Sequence, residues 1–333
     1  MEINLQEIIE RQKKYQVDSD VSLEMVQALN LGPLLKVNPV QLYRYSTPSC
    51  RWYFSISDDG KISWYKGVTS IIHAFHATSA PLTEWQIKNF RDISEYRDYM
   101  STAAAYGTFI HVLFSLLALG GEVDLSDQWL SESIDLYVSA EHVSGKYVKR
   151  DEWILNARQD VIGFIQWWKD YEVQPLAVEI PLSCNAGRFA GALDLPAEIT
   201  VKQGKEFTRQ RVIIDFKTGR QPSFYENHEI QLLMYRMAWW ENFNGDEIGI
   251  ANYGCKDFNI PISSRVTPYR FKIYEPGPEV IAKASGYLSM HKASDSIEPR
   301  IVNRIRHEKV DLKTDVSKMF ESIDPSKVRE MFV

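Results

Sequence analysis

Cysteine is scarce in this chain and what there is lies scattered. Only Cys50, Cys184 and Cys255 occur in 333 residues, with no Cys-x-x-Cys spacing. Three thiolates cannot supply the four-cysteine ligation of an iron–sulfur cluster, and unpaired thiols suit a reducing cytoplasm better than a disulfide-stapled secreted scaffold. Apolar runs long enough to cross a bilayer (~18 residues or more) are also missing, as are a signal peptide and a lipidation motif. No membrane partner is therefore expected. Basic charge is not in excess: the formal net charge is −6. A whole-chain positive field is thus excluded, and any phosphate contact must come from a local basic surface. Internal repeats and low-complexity tracts are absent too.

What is present concentrates in Val212-Ile213-Ile214-Asp215-Phe216-Lys217-Thr218-Gly219. A strongly apolar run delivers a carboxylate and an ammonium two residues apart, then breaks at Gly219. On a β-strand, residues i and i+2 share a face, so Asp215 and Lys217 point one way while Ile214 and Phe216 pack on the other. Charges on such a strand are costly unless paired, solvated or bound to a metal. A solvated edge-strand pair meets that rule as well as a functional pair does, so the neighbouring segments must decide.

Upstream, residues 188–195 form a second strand-like run carrying one acid. With period two, Asp194 shares a face with Ala190 and Ala192, and small residues beside an acid leave room for an ion or a substrate. The polar Lys202-Gln203-Gly204-Lys205 between the two runs predicts a hairpin that would bring Asp194 and Asp215 together near one end of a sheet. Tyr225 to Glu241 predicts a helix striped by Leu233, Met237 and Trp240, with Gln231 and Tyr235 on one face. Ala103 to Leu119 predicts another, closed by Gly120-Gly121 and carrying His111 in Gly107-Thr108-Phe109-Ile110-His111. A lone His in an apolar helix is more often a core residue than a ligand.

Around these segments, Met1 to Leu35 is helix-prone and Phe54 to Tyr65 predicts a hairpin through Asp58-Asp59-Gly60. Val68 to about Leu119 is mostly helical, with an interruption near Pro81. Residues 151–171 predict a helix with Ile154, Ala157, Val161, Ile165 and Trp168 on one stripe. Strands are expected near 176–184, 188–199, 207–217, 248–255 and 268–275, and a last helix from Pro276 to about His291. Trp167-Trp168 and Trp239-Trp240 are assigned to core packing ahead of base stacking. Between residues 201 and 220, Lys202, Lys205, Arg209, Arg211, Lys217 and Arg220 stand against only Glu206 and Asp215.

In their order along the chain, these motifs resemble the RecB-like branch of the PD-(D/E)xK nuclease superfamily. That branch is marked by a Gly-x-x-x-His helix (Gly107 to His111), a strand ending in Gly-x-x-Asp (Gly191 to Asp194), an (Asp/Glu)-x-Lys strand (Asp215 to Lys217) and a Gln-x-x-x-Tyr helix (Gln231 to Tyr235). Glu179 sits where many members carry an acid on the first core strand. A narrower similarity links Gly67-Val68-Thr69-Ser70-Ile71-Ile72, followed by Leu82-Thr83-Glu84-Trp85, to single-strand DNA exonucleases of the mitochondrial genome maintenance and phage type. There Gly67 replaces the usual Pro-Ser opening.

The resemblance implies an α/β fold with a mixed central sheet flanked by helices, divided into an N-terminal extension (1–66), a nuclease domain (67–293) and a tail (294–333). It implies a Mg²⁺-dependent deoxyribonuclease, with Mn²⁺ able to substitute, held by His111, Asp194, Asp215 and the Phe216 backbone carbonyl. Glu179 is expected as a third acid ligand, a ligand to a second metal, or a structural residue. Lys217 would position the attacking water, and Gln231 and Tyr235 would orient Lys217 or bind the scissile strand. Ser70, Arg188, Arg211, Thr218 and Arg220 are candidates for DNA contact. The expected partner is DNA, single-stranded or free-ended, acted on in the cytoplasm of a bacterial or phage-infected cell. RNA stays open as a substrate. The tail is either a docking segment for a protein partner or a weakly ordered end. The alternatives are an endonuclease of the same superfamily or a non-catalytic DNA-binding scaffold on a nuclease fold.

Overall fold

The computed structural model describes residues 42–46, 50–57, 62–77, 80–121, 123–140, 147–219, 224–255 and 268–294. The helix-prone start of the chain, the Asp58-Asp59-Gly60 turn, Arg220 and the segment after Ser294 lie outside the described residues. Strands β1 (Tyr43–Ser46), β2 (Arg51–Ile56) and β3 (Ile62–Gly67) lead into helices α1 (Val68–Phe75), α2 (Ala80–Asn89), α3 (Ile93–Ala118), α4 (Asp127–Ala140) and α5 (Arg150–Asp170). Strands β4 (Gln174–Pro175), β5 (Ile180–Cys184), β6 (Phe189–Leu193), β7 (Leu195–Gln203) and β8 (Glu206–Lys217) follow. Helix α6 (Glu226–Asn242), strands β9 (Gly249–Cys255) and β10 (Tyr269–Tyr274), and helix α7 (Pro278–Ala293) complete the order.

The strands form two mixed sheets between helices, ordered β1-β2-β3-β6-β5 and β10-β9-β8-β7-β4. This is the α/β class expected, with two sheets in place of one. The expected strand over 188–199 breaks at Asp194: β6 ends in the first sheet and β7 begins in the second. Its apolar residues are buried on both faces, so periodicity carried no sign of the bend. The predicted turn at Gly204 does form, with Gly204 at φ +64, and it joins β7 to β8 as an antiparallel hairpin. That hairpin sets Leu195 opposite Ile214, and so places Asp194 beside the end of β8.

Strand β8 is central and buried on both faces, which its unbroken apolar run requires. Val212, Ile214 and Phe216 pack with α3 and α5 through Phe114, Phe164 and Trp167, and with Tyr253 of β9. Ile213, on the other face, joins α1, α6 and α7 through Ile71, Met234, Trp239 and Leu288. Asp215 and Lys217 share the Ile213 face, as the i, i+2 rule demands. The two cores thus clamp the strand that carries the charged pair.

Helix α3 begins at Asp92, whose carboxylate accepts from the Ser94 and Glu95 amides. It ends as Gly120-Gly121 predicts. Gly120, at φ +77, donates to the Leu117 carbonyl and Gly121 donates to Leu116, a paired closure that requires the left-handed residue. By length and composition alone α3 could cross a membrane, which the lack of an uninterrupted apolar run did not foresee. Half of that stretch is buried, and its apolar side builds the first core. The interruption expected near Pro81 is there: α1 ends at Phe75, His76 and Ala77 are non-helical, and Pro81 lies in the first turn of α2, where its missing N–H is not needed. In the two tryptophan pairs, Trp167 and Trp239 fill the cores, whereas Trp240 is 58% exposed. The stripe predicted on α5 does face the first core, with Ala157 and Val161 buried in it and Ile154, Ile165 and Trp168 packed against it, whereas the one predicted through Met237 and Trp240 is out of phase with the buried face of α6.

Candidate active site

The ends of β6 and β8 open into a cleft of about 350 Å³, walled by β2, α1, α3 and α6. Two motif glycines let those walls close. A Cβ on Gly191 would stand 2.5 Å from Cε1 of Tyr235, so only glycine admits the tyrosine ring against β6. A Cβ on Gly107 would stand 2.9 Å from the Thr218 hydroxyl, so glycine lets α3 approach the end of β8. One turn further along α3, His111 enters the same cleft.

Two groups of side chains occupy it. In the first, His111, Glu179 and Asp194 present ligand atoms within 4.8 Å of one another. His111 Nδ1 lies 3.7 Å from both Glu179 Oε1 and Asp194 Oδ1, too far for hydrogen bonds, so these contacts are coulombic. Asp194 Oδ2 accepts from the Phe216 amide at 2.6 Å. Glu179 precedes β5 in the left-handed region, φ +53, and its amide donates to the Asp194 carbonyl at 2.9 Å. Its Oε1 is buried with no hydrogen-bond partner.

In the second group, Lys217 Nζ lies 2.7 Å from Asp215 Oδ2 and donates to Gln231 Oε1 at 3.1 Å. Gln231 Nε2 donates to Asp215 Oδ1 at 2.9 Å and to the Tyr235 hydroxyl at 3.0 Å. Asn252 Nδ2 donates to Asp215 Oδ2 at 2.8 Å, and the Tyr274 hydroxyl donates to Asn252 Oδ1 at 2.9 Å. Every atom of the Gln231 amide is thereby committed, and Asp215 and Lys217 are held rigidly.

The electrostatics of the first group are those of crowded acids. Burial raises the Asp194 carboxyl well above the ordinary carboxylate range, and Asp215 and Glu179 push it further, against the pull of His111 and the Phe216 amide. Burial opposes a charge on His111, but Asp194, Glu179 and Asp215 outweigh it and lift the imidazole to about 9. Burial also drives the Tyr235 hydroxyl well up, so it stays a neutral partner for Gln231.

The sequence profile of the PD-(D/E)XK nuclease superfamily matches residues 83–318, which contain both groups. The chain belongs to that superfamily. No curated protein matches it significantly. Asp194 and the Asp215-Phe216-Lys217 strand both lie inside the matched residues. PD-(D/E)XK nucleases use divalent metals, and the first group fits one. An orphaned carboxylate oxygen, a second crowded acid and a mostly buried imidazole form a hard, negatively biased donor set of the kind that takes Mg²⁺ or Mn²⁺.

The structure places the expected site residues unevenly. His111, Glu179, Asp194, Asp215, Phe216, Lys217, Thr218, Gln231 and Tyr235 all line the cleft. Asp215, however, stands outside the candidate metal group, its carboxylate taken up by Lys217, Gln231 and Asn252. Glu179 stands inside it. The Phe216 carbonyl projects to the same side of β8 as its amide, toward Asp194. Gly191 and Ala192 border the cleft, whereas Ala190 packs with Leu42, Tyr53 and Tyr65. Ser70 accepts from the Arg51 amide at 2.9 Å and does not border the cleft. Arg188, at the far turn of the β5–β6 hairpin, does not either, and Arg211 is taken up in a two-pronged ion pair with Asp246 at 2.7 and 3.0 Å. Arg220 lies outside the described residues.

Sequence reasoning missed Asn252 and Arg51. A lone amide in the otherwise apolar Gly249–Cys255 run was the available signal for Asn252, which pairs in register with Asp215 across the parallel β8–β9 ladder. Arg51 carried no signal, because only the hairpin's docking beside β6 brings it to the cleft.

Proposed function

We propose that this chain is a Mg²⁺-dependent deoxyribonuclease of exonuclease type, acting on single-stranded or free-ended DNA in replication, repair or recombination. The observation that carries this is the meeting, in one cleft, of a candidate metal-binding triad and an ammonium fixed by two partners.

His111, Glu179 and Asp194 would hold the cation, with the Phe216 carbonyl beside them. Once bound, Mg²⁺ or Mn²⁺ supplies the positive charge that makes water acidic and offsets charge on the phosphate oxygens. Lys217 stands at the cleft's edge of that group and donates hydrogen bonds to the attacking water and to a non-bridging oxygen. Asp215 and Gln231 keep it aimed, and Asp215, which only accepts, fixes which end of the Gln231 amide faces it. Asn252 and Tyr274 anchor Asp215 from behind. Both the β2–α1 corner and Ala103, Ala104, Gly107 and Thr108 of α3 border the cleft, which would place these elements around a bound strand.

Purified protein incubated with 5′- and 3′-labelled single- and double-stranded DNA, in Mg²⁺ or EDTA and beside Lys217→Ala, tests this. Metal-dependent loss of label by the parent alone is the expected result, and the label pattern reports polarity and strand preference. DNA bound but uncut in Mg²⁺ and Mn²⁺, with no metal uptake by calorimetry, would instead identify a scaffold.

A further inference from the structure

We infer that Arg51 binds a backbone phosphate of the substrate next to the scissile linkage. This assignment rests on the nuclease reading above only where it concerns cleavage; as a strand-binding contact it stands on the cleft alone.

Arg51 opens β2 and lines the cleft together with Tyr53, two residues on and hence on the same face of the strand. Its main chain is pinned twice. The amide donates to Ser70 Oγ at 2.9 Å, and its carbonyl lies so close to Gly67 that a Cβ there would stand 2.8 Å away. The side chain therefore springs from a fixed point in the lining of the cleft.

Its charge is also uncommitted. Lys217, the other strong cation of the cleft, is tied to Asp215 and Gln231, and His111 sits between two acids. No carboxylate among the described residues pairs with the Arg51 guanidinium, although Glu179, Asp194 and Asp215 line the same cleft. A planar donor fork without a partner at the edge of an acidic centre is suited to a phosphate oxygen pair. It would also offset the repulsion between those acids and an incoming polyanion. A guanidinium contacts phosphate and not base, so the expected gain is in affinity without sequence preference.

The test compares Arg51→Ala and Arg51→Lys in two backgrounds. In the Lys217→Ala background with Ca²⁺, binding of a short fluorescein-labelled oligothymidylate is followed by anisotropy across a salt series. Arg51→Ala should weaken binding about ten- to hundredfold, as loss of a charge-assisted contact does. The slope of log affinity against log salt should fall by about 0.7, one contact's worth for a single strand. Arg51→Lys should fall between, keeping the slope and losing part of the affinity. A neutral methylphosphonate moved along the oligonucleotide should find one internal linkage that costs the unsubstituted Arg51 protein as much as Arg51→Ala does, and costs Arg51→Ala nothing more. With and without a 5′ monophosphate the losses should match. Unchanged affinity and slope, additive losses at every linkage, or a loss confined to the 5′-phosphorylated strand would each overturn the assignment.

In the Lys217 background, the same substitution should raise KM for cleavage. Failure of the nuclease reading would show as no cleavage by the parent while the Arg51 salt effect persists. Failure of the Arg51 assignment would show as cleavage with KM unmoved. An unchanged Mn²⁺-induced shift in thermal midpoint controls for folding, since the Ser70 contact uses the main chain.

Discussion

Glu179 combines two unfavourable features in one residue: left-handed backbone, and a buried carboxylate oxygen without a partner. The first costs on the order of 1 kcal/mol for a residue with a Cβ, the second about 1–3 kcal/mol. Such a cost persists where something outside the bare chain repays it. Glu179→Gly should therefore raise the thermal midpoint of the metal-free protein while abolishing the rise caused by Mn²⁺. A variant that melts lower without metal and still responds to it would make Glu179 a structural residue. Lys217→Ala should lower turnover by at least about a thousandfold, the scale of a preorganised charge donor. Its circular dichroism and DNA affinity should stay near those of the parent; a variant with parental activity would remove Lys217 from the chemistry.

At the scale of elements, the two motif glycines predict different penalties. In Gly191→Ala the added methyl meets a tyrosine ring boxed in by β6, whereas in Gly107→Ala it meets the tip of a threonine. Overpacking against a ring that cannot rotate away costs about 1–3 kcal/mol. Gly191→Ala should thus lose stability and, by displacing Tyr235 from Gln231, most of its activity; Gly107→Ala should lose less of both. Denaturant midpoints paired with cleavage rates would show it, and equal penalties would contradict the packing argument. The elements also show what sequence could carry. Helices α3, α5 and α6, the β7–β8 hairpin and the pairing of Asp215 with Lys217 were legible because each rests on local rules: caps, turn residues and strand alternation. The break at Asp194 and the roles of Asn252 and Arg51 were not, because each depends on which sheet a strand joins. The phase of the α6 stripe was lost for a related reason: α6 carries apolar residues around much of its girth, and only packing decides that Trp239 goes in and Trp240 stays out.

For the whole molecule, the candidate ligands come from two separate parts of the fold: α3, and the end of the β5–β6 ladder, where the Glu179 amide donates to the Asp194 carbonyl. A cation bound there joins them, so metal should stabilise the entire fold. At a hundredfold excess over Kd, binding adds about 2.7 kcal/mol, which for a chain of this size raises the thermal midpoint by about 4 °C. Differential scanning calorimetry with Mn²⁺, then EDTA, would register the shift and its reversal. No shift at saturating metal would mean that the triad does not take up a cation.

The bend at Asp194 also has a consequence in time. A chain leaving the ribosome presents His111 first, Glu179 and Asp194 well afterwards, and Lys217 later again. Until β7 has folded back along β8, the Phe216 amide cannot hold Asp194 and the triad has no third corner. A nascent or truncated chain ending before β8 would carry most of the cleft's walls yet none of its cutting power, so the molecule is harmless to nucleic acid until its second half is in place.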